Sequence, residues 1–486
     1  MMPALTIDHM IYTLSEIALH CNYHPPQQGS TRKFISEENQ HRLQVLNLIS
    51  LLFVTGGSGD VAAVSLHATS SKRIELCYSK NRPCTPDEKA YITELFTIAT
   101  DPTSSGETKF SRLLKLVLRK CKDKIITRLH KLCNQLRFLD GPDVFLFVNL
   151  NSRAGAGHSP EATQCIAQIR ELVGTERYPL DSSLIDFLKR WFQQLLCSLQ
   201  PGSCFDMHAN RHLVYDTIII SHLLANNPQA ALIPDPTLVR PIRKLGNYRA
   251  AIWVTIEELA KLNVAGECRV SIKEIVPPPP NTQFPSDFLP ILNECARDNG
   301  TTEVTKEDLS NAYPQEMWTL PRAREIPLQT SVHCECSLAL SFAKSHLNSR
   351  IPATLIIGIS KLPCRWCHEF LFAFHNSYPH ITIHFPPFGG KLKSEWTLPP
   401  ETPSEVVSGM HKRLNEEIKQ VLARSIGTRV SHQIPLHPPA VIWRWGSETE
   451  DEVIGNQHRY CGLCIHLRVR PKWRYCWRHR RFGSHC

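Results

Sequence analysis

Val332-His333-Cys334-Glu335, followed downstream by Pro363-Cys364-Arg365-Trp366-Cys367, is the stretch from which the rest of the chain is read. Zinc prefers nitrogen and sulfur donors in a tetrahedron, and a catalytic zinc keeps one of the four positions open. His333 offers a nitrogen, and Cys364 and Cys367 offer thiolates, so three protein ligands leave the fourth position for water. Cysteines three residues apart in the first turn of a helix face one side, so a single ion can take both. Pro363 suits the start of that helix, whose positive end favours the thiolate form. Glu335 is not needed as a ligand. Two residues beyond His333, at the opening of its own helix, it can reach the open position and move a proton there. The competing reading is a closed, structural zinc with Cys336 or His368 as fourth ligand.

Outward from this stretch, residues 281–430 alternate short strands with helices, which implies a mixed α/β sheet. Residues 355–360 form a compact apolar strand running straight into the cysteine helix, and 381–385 form a second. A helix is expected from Ser404 to about Arg424, ending at Gly427. Upstream, Pro277-Pro278-Pro279-Pro280 cannot lie inside a helix or a central strand, so a domain boundary is expected there. Residues 1–276 read as a mainly helical N-terminal region of unknown role. Ser36 can cap a helix that stops at Gly56-Gly57, residues 61–81 suit a hairpin, and Thr85-Pro86-Asp87-Glu88 is a helix start. One long basic amphipathic helix is expected over 110–136. Residues 455–486 form a basic tail rich in Cys, His and Arg. Cys461, Cys464, Cys476 and His479 have the spacing of a small second zinc knuckle, against the plainer reading of a disordered tail.

The composition, 42 % hydrophobic and 21 % charged over 486 residues, is that of a folded chain with two or three domains. No apolar run is long enough to span a membrane, and the first residues lack a secretory pattern. Eighteen scattered cysteines point to a reducing compartment, so an intracellular, cytoplasmic or nuclear location is expected. The net charge of +10 is concentrated: 109–137 hold ten Lys/Arg against Asp123, and 458–486 hold eight with no acid. Such stripes suit a polyanion such as nucleic acid, although a solvated helix face explains the first equally well.

The His-x-Glu and Pro-Cys-x-x-Cys halves together make the pattern of zinc deaminases. Residues 332–400 resemble the OTT-type deaminases, a divergent, cytidine-deaminase-like family abundant in fungi. The resemblance is carried by Val332-His-Cys-Glu, by Ile357-Gly-Ile-Ser-Lys-Leu-Pro-Cys-Arg-Trp-Cys, and by Gly390-Lys-Leu with Trp396-Thr-Leu-Pro; it extends faintly to the hairpin at 61–81. It implies an α/β fold, a cytidine-deaminase-like mixed sheet of five strands flanked by helices, with Zn2+ on His333, Cys364 and Cys367 and Glu335 as proton shuttle. Cys334 departs from the usual Ala, and Gly389 stands where His is common. The expected function is hydrolytic deamination of a cytosine or adenine base in a nucleotide or nucleic acid. The alternative is a catalytically inactive deaminase-fold module with structural zinc; a third reading is a nucleic-acid-binding scaffold. Ser360 and Lys361, at a strand end beside the motif, are candidate substrate contacts. Trp366 either stacks on a base or packs beneath the metal.

Overall fold

The computed structural model describes residues 7–21, 35–57, 59–70, 73–138, 184–200, 205–226, 236–263, 269–279, 289–312, 330–346, 351–389, 391–393 and 395–431. In order these form α1 (Ile7–Cys21), α2 (Glu37–Leu52), β1 (Ala62–Ser70), β2 (Arg73–Lys80), α3 (Pro86–Thr100), α4 (Gly106–Lys120), α5 (Lys122–Phe138), α6 (Leu184–Ser198), α7 (Arg211–Asn226) and α8 (Pro236–Asn263). Then come β3 (Arg269–Glu274), α9 (Leu289–Asp298), α10 (Lys306–Ala312), α11 (Cys334–His346), β4 (Ala353–Ile356), β5 (Gly358–Ile359), α12 (Arg365–Ser377), β6 (Ile381–His384) and α13 (Ser404–Ser431). The chain is thus a mixed α/β protein, mostly helical, with small sheets.

Local chemistry starts the helices where the sequence said. The Ser36 hydroxyl accepts from Asn39 N–H at the head of α2. Thr85 and Glu88 make a reciprocal capping box at α3, with Pro86 in its first turn. Two expectations are corrected. The basic helix expected over 110–136 is broken at Cys121, whose backbone (φ −96°, ψ 18°) leaves the helical path between α4 and α5. Its thiol is buried there, 3.6 Å from the Tyr91 hydroxyl. In turn α13 does not stop at Gly427 but runs to Ser431.

Contacts gather the described residues into two units, one drawn from Met1–Cys121 and Ala251–Arg444, the other from Lys122–Ala250. In the first, the strands lie in the order β3-β2-β1-β5, with β4-β6 as a second, two-stranded sheet. β1 is antiparallel to β2 and β5, while β3 is parallel to β2 and β6 to β4. β3 lies just before Pro277, so the chain on both sides of the prolines contributes strands to this unit. Only Ile357 separates β4 from β5. Its N–H donates to His384 O (2.8 Å) and Ser360 N–H donates to Ala62 O (2.9 Å), so segment 353–360 borders β6 on one edge and β1 on the other. Helix α2 crosses this segment at Gly358, where a Cβ would lie 2.2 Å from the Leu46 carbonyl carbon. Only glycine permits that approach. One apolar core joins α1, α9, α11, α12 and α13 to the strands, with Ile11, Leu14, Trp366, Phe370 and Trp396 fully buried.

In the second unit Trp191, Phe192 and Leu195 of α6 are buried, and the Trp191 indole N–H donates to Thr217 Oγ1 at 3.1 Å. Gly246 of α8 lets that helix approach α7, since a Cβ would meet His222 Cα at 2.6 Å.

Candidate metal site

The sheet and the core bring the two halves of the motif together. Segment 353–360 ends at Ser360, the chain turns through Pro363, and Cys364 becomes the N-cap of α12. A neighbouring helix, α11, starts at Cys334, so His333 and Glu335 flank its first residue. Asn81, at the end of the hairpin, accepts the Cys334 N–H through Oδ1 at 3.2 Å and satisfies one of the orphan donors of that helix start. Sequence reading missed this residue.

His333 Nδ1 lies 3.6 Å from Cys364 Sγ and 3.2 Å from Cys367 Sγ, and the two sulfurs are 3.4 Å apart. Among the described residues this trio forms a group able to hold a metal ion. Around a tetrahedral zinc, ligand distances of 2.0–2.3 Å put neighbouring donors about 3.5–3.8 Å apart. The donors therefore need to move by only a few tenths of an ångström, and one nitrogen with two sulfurs is a set that zinc takes readily. Cys336, the residue that would close a four-ligand site, is fully buried and lies outside the trio.

Electrostatics polarise the trio in advance. Burial pushes the Cys364 thiol up, but the hydrogen bond from Cys367 and the His333 imidazole together pull it down to about 5. Burial pulls His333 down, and the Cys364 charge, with its hydrogen bond and Glu335, outweighs it, to about 9. Burial and the neighbouring thiols hold Cys367 well above the ordinary thiol range. Metal binding must therefore displace protons from His333 and Cys367.

Glu335 is 3 % exposed, and its Oε2 takes a hydrogen bond from the Cys334 thiol at 3.2 Å. It lies in the first turn of α11, two residues along from His333. Trp396 is fully buried and its indole N–H donates to Cys367 Sγ at 3.2 Å. The turn carrying Trp396 runs beside the residue two before His333: Ser331 N–H donates to Glu395 O (2.7 Å) and Thr397 N–H donates to Ser331 O.

Ser360 Oγ accepts from Ala62 N–H at 3.0 Å and so ties β1 to the strand end, while Lys361 is exposed. Trp366 is fully buried and its indole N–H donates to Ser15 Oγ of α1 at 3.0 Å, which settles its two readings in favour of packing. Arg365, 1 % exposed, sits in a buried charge network: Nε lies 2.9 Å from Glu369 Oε1, Nη2 lies 2.6 Å from Glu417 Oε1, and Glu369 also meets Arg413. Of the basic stripe, Arg112 pairs with Asp101 and Arg119 with Glu94. Arg128 donates to Lys244 O at 2.6 Å and stacks over Tyr248. Three arginines of the stripe, Arg112, Arg119 and Arg128, are thus already engaged. Residues 455–486, with the possible zinc knuckle, lie outside the described residues.

These features define a mixed α/β protein in which His333, Cys364 and Cys367 converge as a trio that could hold a metal ion, with the buried Glu335 two residues along from the histidine. Residues 332–400 match the family model of the OTT_1508-like deaminases, a cytidine-deaminase-like family, so the chain carries a deaminase-family domain there. No curated protein and no solved structure matches the chain. No helix among the described residues is long and apolar enough to cross a membrane.

Proposed function

We propose that the protein is a zinc-dependent hydrolytic deaminase acting on a cytosine or adenine base in a nucleotide or nucleic acid. The observation that carries this reading is the convergence of His333 Nδ1, Cys364 Sγ and Cys367 Sγ, with the buried Glu335 two residues along from the histidine. The matched domain supports it. So does the strand order, in which the hairpin β1-β2 borders the segment leading into the cysteine helix, and that segment borders β6.

A zinc ion on this trio would supply a Lewis acid that makes water nucleophilic near neutral pH. The chain's own residues do the rest. Glu335, oriented by the Cys334 thiol, takes the proton of the attacking water and delivers it to the ring nitrogen. It then carries a second proton to the departing amine, so the C–N bond breaks, ammonia leaves and a carbonyl oxygen replaces it. The positive ends of α11 and α12 both open at the trio and favour the anionic sulfurs. The basic segments 109–137 and 458–486 are the proposed polyanion contacts, with Arg112, Arg119 and Arg128 of the first already engaged within the protein.

The test combines metal analysis with ammonia release from a panel of nucleosides, nucleotides and oligonucleotides. Purified protein should hold one zinc, and Cys364→Ser should lose it. Glu335→Gln should keep the zinc while its turnover falls by roughly 10²- to 10⁴-fold. Zinc retained in full by Cys364→Ser, or unchanged turnover in Glu335→Gln, would sink the assignment.

A further inference from the structure

Helix α1 lies more than 300 residues upstream of the family match, yet it is built into the support of the metal trio. Its Asp8 carboxylate spans the turn after Trp396: Oδ2 accepts from Thr397 Oγ1 at 2.8 Å and Oδ1 from Leu398 N–H at 3.0 Å. Seven residues further along α1, Ser15 holds the indole N–H of Trp366, the residue that precedes Cys367. Trp396, on the other side of the clamped turn, aims its own indole N–H at Cys367 Sγ. An indole N–H can only donate. Fully buried, it has the Cys367 sulfur as its acceptor, and so fixes where that sulfur can point.

We propose that Asp8 and Trp396 are positioning residues for the metal: Asp8 clamps the 396–398 turn so that the Trp396 indole N–H fixes the direction of the Cys367 sulfur. This rests on the zinc reading of the trio. A hydrogen bond to a ligand atom fixes its direction and stabilises its charged form, and losing such a partner typically weakens metal binding by about 10- to 100-fold. The effect of Asp8 is transmitted through Trp396, so the two should not act independently.

The experiment uses the full chain, as wild type, Trp396→Phe, Asp8→Ala, Asp8→Asn and the Trp396→Phe/Asp8→Ala double variant. Zinc affinity is read by competition with a chromogenic chelator. The thiolate-to-metal charge-transfer band of the Co(II)-loaded protein is read alongside it, and near-UV circular dichroism reports the fold. Trp396→Phe keeps the ring but not the donor. It should weaken zinc by about 10- to 100-fold and move the Co(II) band to longer wavelength, because a thiolate without its donor gives up electrons more easily. Asp8→Ala should act in the same direction, and the double variant should bind no more weakly than Trp396→Phe. If Asp8→Ala fails to fold, Asp8→Asn decides: its amide can accept from Leu398 N–H and donate to Thr397 Oγ1, but the clamp loses its charge, so zinc affinity should fall in the same direction and by less. Unchanged affinity and band in Trp396→Phe, or losses that multiply in the double variant, overturn the proposal while leaving the zinc reading intact. A wild-type chain that binds no zinc overturns both.

Discussion

Replacing Arg365 with methionine should destabilise the unit that carries the trio by about 3–5 kcal/mol, the usual result of leaving a buried charge without its partner. The guanidinium is 1 % exposed and bridges Glu369 of its own helix to Glu417 of α13. Methionine fills much of the same space, so the loss comes from the stranded carboxylates rather than from a cavity. Glu369 keeps Arg413, but the Glu417 Oε1 loses the contact that it makes at 2.6 Å. Burial already pushes the Glu417 carboxyl up, and Arg365 is the first influence holding it down. Without Arg365 the folded chain should bind a proton there more tightly than the unfolded chain does. The deficit should therefore be larger at pH 8 than at pH 5. The double change Arg365→Met/Glu417→Leu removes both charges and should recover at least half of the loss. Urea unfolding of the full chain, followed by near-UV circular dichroism at both pH values, reads all of this. A loss under about 1 kcal/mol, or a double variant as unstable as the two single losses added, would refute the argument that this network is a paired, buried unit.

Gly358→Ala should cost at least about 1–3 kcal/mol, because its methyl would sit 2.2 Å from the Leu46 carbonyl carbon and 2.5 Å from Asn47 N, and α2 must retreat; an unchanged urea midpoint would mean the helix does not cross there. His67 is lowered from 6.5 to about 4, chiefly by burial, so the unfolded chain binds its proton first as pH falls. Its contribution is complete above pH 6.5 and should shrink by about 2 kcal/mol on going to pH 5, a loss that His67→Gln should abolish in parallel unfolding titrations. A chain ending at Gln457 should bind single-stranded oligonucleotide more weakly than the full chain, with a shallower dependence on salt. Filter binding giving equal affinities would leave a small nucleotide as the better substrate.

The parts of this structure that were legible in the sequence are those set by neighbours in the chain. Ser36 and the Thr85-Pro86-Asp87-Glu88 start act within one helical turn, and both cap as read. The hairpin at 61–81 and the strand at 355–360 follow from apolar runs bounded by turn residues. The trio was legible because its donor types and spacing are set by metal chemistry. What the sequence hid depends on residues far apart in it. Nothing local marks Cys121 as a break, since both flanking segments keep helical periodicity; the thiol turns into a core made with Leu52 and Tyr91. Likewise Arg365 reads as a solvent-facing charge until Glu417 and Arg413 are seen around it. Asp8 and Ser15 give no signal at all, because their partners stand at 397, 398 and 366.

The distance along the chain between Asp8 and its partner Leu398, 390 residues, also sets a schedule for biogenesis. At translation rates of about 5–20 residues per second, α1 leaves the ribosome roughly 20–80 s before the turn that receives it exists. During that interval Ile11, Leu14 and Ile17, all fully buried in the finished protein, have no surface of their own to cover. The closure of so long a loop waits for residue 398, so the trio's support can assemble only late in synthesis or after it. The nascent chain therefore carries an apolar helix face through most of its production. In that period it is a natural client for a holding chaperone, and slowed translation should lower the yield of metal-competent protein.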